Sequence, residues 1–141
     1  MADIRLFFLD LDSGCDIASD PLGLVMDDGL DTAVLLSLFT DRRAEAGDEF
    51  SGDPRGWWGD ALAVTDDRPV AMGSRFWLLA REKQTVPVLR RAEAYARQAL
   101  QWMLDDGVAS ALTATASNPQ RGWLWLDVLI DNTPYQFRIK S

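Results

Sequence analysis

Residues 86–106, VPVLRRAEAYARQALQWMLDD, and residues 112–140, LTATASNPQRGWLWLDVLIDNTPYQFRIK, decide how this chain folds. In the first stretch Leu89, Ala92, Ala96, Ala99 and Met103 recur at steps of three and four, and Tyr95 and Trp102 widen the stripe. That spacing predicts an amphipathic helix over Val86–Asp106. Thr85 stands where a cap belongs, Pro87 is tolerated in a first turn, and Gly107 suits a left-handed terminus. Glu93 and Arg97 fall i,i+4 on what reads as the wet face. In the second stretch the period drops to two. Leu112, Ala114 and Ala116 alternate with threonines, Asn118–Gly122 turns, and Trp123–Ile130 is apolar on both faces except at Asp127. After a second turn at Asp131–Pro134, Tyr135, Phe137 and Ile139 alternate with Gln136, Arg138 and Lys140. The pattern predicts a three-stranded antiparallel meander with its middle strand buried on both sides. Its last strand, at about 135–140, ends the chain and leaves an edge free to accept the strand of another protein.

Outward from these elements the signals weaken. Ile4–Leu9 reads as a strand buried largely on both faces, followed by an Asp-, Gly- and Pro-rich loop to Gly29 with a short strand at Gly23–Met26. Leu30, Ala33, Val34, Ser37 and Leu38 share a face, with Leu35, Leu36 and Phe39 widening it, which predicts a helix over Leu30–Thr40 buried on most sides. Asp28 is placed to cap it and Asp31 to meet its dipole. Residues 44–74 form an irregular loop region broken by glycines and prolines, and Ser74 is placed to cap a short helix over Arg75–Glu82. The expected architecture is α+β: one domain over 1–141, with an antiparallel sheet from the N-terminal strand and the C-terminal meander packed against two main helices.

Composition narrows the chemistry. The chain has 141 residues, no histidine and a single cysteine, Cys15. This excludes a Ser-His-Asp or Cys-His nucleophile, an imidazole ligand to zinc or haem, an internal disulfide and a thiolate metal cluster. The formal charge of -8 would repel a nucleic-acid backbone. Only Lys83 and Lys140 are lysines, so the cations are nearly all arginine, a bias that suits protein interfaces and that a GC-rich genome also produces. The apolar run Leu6–Leu9 is too short for a signal sequence or a membrane span, so the expected place of synthesis is a cytosol, with release by lysis.

Several constellations bear on chemistry. Asp10, Asp12, Gly14 and Asp16 resemble half of a calcium loop, but the glycine stands one position early and Pro21 replaces the closing glutamate, so a solvated turn is the plainer expectation. A carboxylate-based glycoside hydrolase needs only two acids, yet Glu45, Glu49, Glu82 and Glu93 all fall where nothing would raise a pKa. A carbohydrate-binding module would draw on the six tryptophans, of which periodicity assigns Trp77, Trp102, Trp123 and Trp125 to core or inter-element contacts. Trp57 and Trp58, adjacent in a glycine-rich loop, are left to core cover or to a subunit contact. No phosphate-cradling loop is present, and no cofactor is implied.

Taken in order, residues 28–34 (DGLDTAV), 37–44 (SLFTDRRA), 56–60 (GWWGD), 73–79 (GSRFWLL), 99–103 (ALQWM) and 105–109 (DDGVA) resemble the gene-product-forty-six family of Mu-like contractile phages over nearly the whole chain. The resemblance implies a non-enzymatic baseplate protein, related to the lysozyme-like wedge proteins that initiate the tail sheath. It implies a place in the virion after assembly in the host cytoplasm, with other wedge subunits, sheath and tube or hub proteins as partners. Neither nucleic acid nor a membrane is implied as a partner. About six copies per virion would follow from one per wedge of a sixfold baseplate. The Trp-Glu-Pro-Arg segment of those relatives has no counterpart at Trp102–Gly107, so that contact is not carried over. The residues expected at interfaces are Trp57, Trp58, Arg75, Tyr135, Phe137, Arg138 and Ile139.

Overall fold

The computed structural model describes residues 3–27, 29–62, 64–65, 68–69, 71–80, 82–83 and 85–140. It is an α+β structure, as the periodicities predict. The meander is present: β9 (Leu112–Ser117), β10 (Trp123–Ile130) and β11 (Thr133–Lys140) pair antiparallel in the order β11-β10-β9. Asp131 and Asn132 both take positive φ, 47° and 74°, which is the two-residue turn whose twist matches that of the flanking strands. Against the inner face of the sheet lies the helix Val86–Asp105, α2, ending before Gly107 at φ 72°. Its Ala92, Ala96, Leu100 and Met103 meet Leu124, Leu126, Val128 and Ile130, and all are nearly or fully buried. The alternation that buries those four β10 residues turns Trp123, Trp125, Asp127 and Leu129 to the opposite side. The middle strand is therefore half-covered, not buried on both faces as its composition suggests. Three of the four tryptophans assigned to contacts have partners between elements: Trp77 donates to the Arg42 carbonyl, Trp102 to Ser37 Oγ, and Trp125 lies under Arg138, while Trp123 is half-buried at the start of β10.

The N-terminal strand pairs within a module of its own. The strands are β1 (Asp3–Ile4), β2 (Leu6–Asp10), β3 (Gly14–Ile17), β4 (Ser19–Asp20), β5 (Gly23–Leu24) and β6 (Met26–Asp27). They pair as β2-β3, β4-β5 and β1-β6, all antiparallel. At their meeting point Arg5 N–H donates to the Val25 carbonyl, Val25 N–H to Ala18, and Ala18 N–H to Arg5, closing a ring of backbone hydrogen bonds. The strand is less buried than its composition predicts. Leu6 and Phe8 are half-covered, and Phe7 and Leu9 are exposed, because no layer packs on their side.

The helix Asp31–Phe39, α1, follows. The predicted cap Asp28 lies outside the described residues, and Asp27 serves instead: its carboxylate accepts N–H groups from Gly29 and Thr32 at 3.0 and 2.8 Å. Thr32 Oγ1 then donates to the Ile4 carbonyl and accepts from Leu6 N–H, fastening the helix start to the strand edge. Residues 72–76 run beside the end of α1, with Ser74 N–H on the Thr40 carbonyl, Arg42 N–H on the Ser74 carbonyl and Ser74 Oγ donating to the Leu38 carbonyl. Gly73 is required here: its φ is 94° and an added Cβ would stand 2.2 Å from the Thr40 oxygen. In place of the predicted helix at 75–82 there is a short 3-10 turn, Phe76–Leu79, whose Phe76 and Leu79 are buried. A second 3-10 turn, Trp58–Ala61, and the two-residue pair β7 (Val64–Thr65) with β8 (Arg68–Pro69) interrupt the irregular region.

Glu93 corrects a sequence expectation. It is 6% exposed, and its Oε1 accepts the Ala116 N–H at 3.1 Å, joining α2 to β9. Burial opposes its ionisation, but the Ala116 amide with Arg90 and Arg97 outweighs it and holds the carboxyl below the usual range. A lowered folded pKa gives stability that is present above the unfolded value near 4.5 and lost as pH falls through the folded one.

Glu93→Gln should therefore cost about 1–3 kcal/mol at neutral pH, and its melting temperature should fall less between pH 5 and pH 3 than that of the wild type. Parallel melting curves over that window would refute the assignment. Gly73→Ala should destabilise by about 1–3 kcal/mol in a denaturant titration, because both the backbone angle and the Thr40 carbonyl resist a methyl group.

Candidate assembly surfaces

Three surfaces stand out once the core is accounted for. The first is a cleft of about 560 Å³ lined by residues 5–9 of the N-terminal strand, Asp31 and Leu35 of α1, and residues 134–138 of β11. The two walls are strand edges. Arg5 turns its backbone groups toward Ala18 and Val25, so strand alternation turns those of Leu6 and Phe8 away from β3: the Leu6 N–H goes to Thr32 Oγ1 of α1, and the Leu6 carbonyl and the Phe8 groups are left toward the cleft. On the other wall, Ile130 and Thr133 flank a two-residue turn and exchange both their hydrogen bonds, so Gln136, Arg138 and Lys140 point their N–H groups out of the sheet. Pro134, which has no N–H, falls at an outward position, where the ladder loses nothing.

Phe8, Tyr135 and Phe137 give the cleft an aromatic floor, and a ring beneath it joins the two walls. The Phe39 ring of α1 stacks on Phe8 at 3.9 Å between centroids and meets Phe137 edge-on at 5.3 Å. Tyr135, half-buried beside them, has its hydroxyl pKa raised by burial and by the carboxylates of Asp31 and Asp27. Arg5 rims the cleft but is engaged, at 2.8 Å from Asp31 and 3.8 Å from the buried Asp27. Asp27 is itself held ionised: burial opposes the charge, and the Thr32 and Gly29 amides and Arg5 outweigh it.

The second surface is the aromatic loop. Trp57 lies across Gly59, where a Cβ would stand 2.2 Å from the ring, so the glycine and the tryptophan fit as a pair. Trp58 is 77% exposed, with its ring centroid 5.4 Å from that of Trp57, and Leu62 beside them is also open. The sequence could not decide between core cover and contact; the structure places Trp57 half over the chain and Trp58 in solvent. The third surface is the N-terminal module, with Ile4, Ile17, Leu22, Leu24 and Met26 exposed.

The remaining expected interface residues divide. Arg138 is exposed and stacks on Trp125 at 4.3 Å, whereas Ile139 is a core residue. Arg75 is occupied within the chain: it ion-pairs Asp48 at 2.9 Å and Glu45 at 3.4 Å, donates its Nε–H to Gln98 Oε1, and stacks on Tyr95 at 4.5 Å. It fastens the 45–48 loop to α2, and its side chain is only 15% exposed. In the calcium-like loop, Asp10 accepts the N–H groups of Asp12 and Ser13 and the Ser13 hydroxyl, which closes the β2-β3 turn and lowers its pKa.

Comparison with known proteins shows the family. The family model described as phage protein GP46 matches residues 30–134, from the start of α1 to the beginning of β11. The chain is 45% identical over 131 residues to the baseplate protein gp46 of Escherichia phage Mu, covering 87% of each. It is 42% identical over 115 residues to the Mu-like prophage FluMu protein gp46 of Haemophilus influenzae (strain ATCC 51907 / DSM 11121 / KW20 / Rd), covering 82% of this chain and 77% of that one. The matched region contains the helix α2, the strands it packs on and the aromatic loop, so this chain belongs to the GP46 family of phage proteins.

Proposed function

We propose that this chain is a structural subunit of a contractile-tail baseplate, a wedge component that starts the sheath by taking a strand of a neighbouring subunit into the cleft between β2 and β11. The observation that carries this reading is the pair of facing strand edges over an aromatic floor. An extended peptide is the one ligand class that matches ladder donors and acceptors on both its sides. A strand laid there would join the meander to the N-terminal module in one sheet. Apolar side chains at alternate positions would face Leu35, Phe8 and Phe137. The baseplate role of the Mu relative supports the assembly, and the absence of histidine supports a role without catalysis. Among the described residues the carboxyl groups whose pKa departs from the usual value, Asp10, Asp27, Asp48 and Glu93, are all lowered, which is the wrong direction for a general acid. Sheath, tube or hub and fellow wedge subunits are the proposed partners, in the virion tail after assembly in the host cytoplasm.

Gln136→Pro removes an outward N–H while leaving the β10 ladder intact, and so should fold normally yet give tail tubes without polymerised sheath by electron microscopy. Normal sheaths with this variant would defeat the strand-acceptor reading. Trp58→Ala should change stability by less than about 0.5 kcal/mol, since the ring is in solvent, but should lower the yield of complete baseplates. Wild-type yield would remove the loop from the assembly surface.

A further inference from the structure

The N-terminal module carries a second surface that the strand slot does not use. Alternation puts Ile4, Leu6 and Phe8 on one face of its first strand, and the register places Met26 opposite Ile4 and Ile17 opposite Leu6. Leu24 pairs with Ser19, two residues beyond Ile17, and precedes Met26 by two, so both routes put it on that same face. Only the Phe8 end of this face is covered, by Phe39 of α1. The other end overhangs: Ile17, Leu24 and Met26 are about half exposed, and Leu22 at the tip of the β4-β5 turn is 96% exposed. A soluble chain gains nothing by ordering such a face toward water.

Charge selects what covers it. Asp3, Asp10, Asp12, Asp16 and Asp20 are all exposed on this module. Its one described cation, Arg5, is already paired with Asp31. Asp20 sits in the same turn as Leu22 and Asp16 precedes Ile17, so the acids follow the apolar residues closely along the chain of this small module. A second copy would bring the same acids against these, and an anionic lipid surface would be repelled in the same way.

We propose that the Ile17–Leu24–Met26 face docks a neighbouring baseplate protein through an apolar surface bordered by Arg or Lys. Binding buries the overhang, and the partner's cations meet the acids of this module, first of all Asp20 in the turn that carries Leu22. This contact is separate from the strand slot and does not depend on it.

The test supplies variants in trans to a prophage lacking this gene and measures the chain's content in purified particles. Ile17→Ser/Leu24→Ser/Met26→Ser should melt within a few degrees of the wild type yet enter particles about tenfold less or worse. Should the triple variant fail to fold, Leu22→Ser and Asp16→Lys/Asp20→Lys alter only exposed side chains and should each lower incorporation several-fold. Gln136→Pro should enter particles normally while blocking the sheath, which separates the two surfaces. Wild-type incorporation of the folded triple variant, or of both exposed-site variants, would overturn the proposal. So would self-association of the pure chain that the triple variant abolishes, or its binding to phosphatidylglycerol vesicles through these residues.

Discussion

The Phe39 ring holds this structure together. It stacks on Phe8, meets Phe137 edge-on and has Phe76 on a further side at 6.2 Å. One side chain of α1 thus touches the N-terminal module, the meander and the 3-10 turn after Gly73. Aromatic pairs of this kind contribute about 0.5–1.5 kcal/mol each beyond the area they bury. The geometry matters as much as the energy. Because a ring stands between Phe8 and Phe137, their strands cannot close on each other, and both edges remain presented to the cleft. The same contact that joins the halves keeps them unpaired.

Polar fastening follows a similar economy of parts. Glu93 joins α2 to β9, Asp27 joins the last strand of the module to the start of α1, and Arg75 joins the 45–48 loop to α2. The sequence places Glu93 on a wet face and Arg75 at an interface, and it gives Asp27 no role. Each is instead taken inside with several partners, the arrangement in which burial of a charge is tolerated.

What was legible in the sequence was what depends on period. The steps of three and four from Leu89 to Met103 gave α2 to within a residue of its end, and the alternation from Leu112 to Ile139 gave three strands in the right order. What was not legible depends on partners far along the chain. Trp123 and Trp125 look like core by type, yet one face of β10 has no layer against it. Glu93 looks wet by position, yet Ala116 brings an amide to it. The module at 3–27 is built from strands of two to five residues, too short to carry a periodic signal, and its ring of backbone bonds at Arg5, Ala18 and Val25 leaves no trace in residue type. The cleft was half visible: the free edge of β11 could be read, but its opposing wall could not.

The contact between Phe39 and Phe137 also sets an order of events during synthesis. The segment from α2 through β11 is contiguous, with strands paired to their neighbours in sequence, and such local pairing closes short loops quickly. The N-terminal module is made before the meander, but Phe137, the ring that Phe39 meets edge-on, belongs to β11, the meander strand made last. Until β11 is in place, Phe39 has only Phe8 and Phe76 as ring partners among the described residues, and the two edges of the cleft do not yet face one another. A chain interrupted before β11 lacks one wall of the cleft, so the proposed acceptor exists only once the meander is finished.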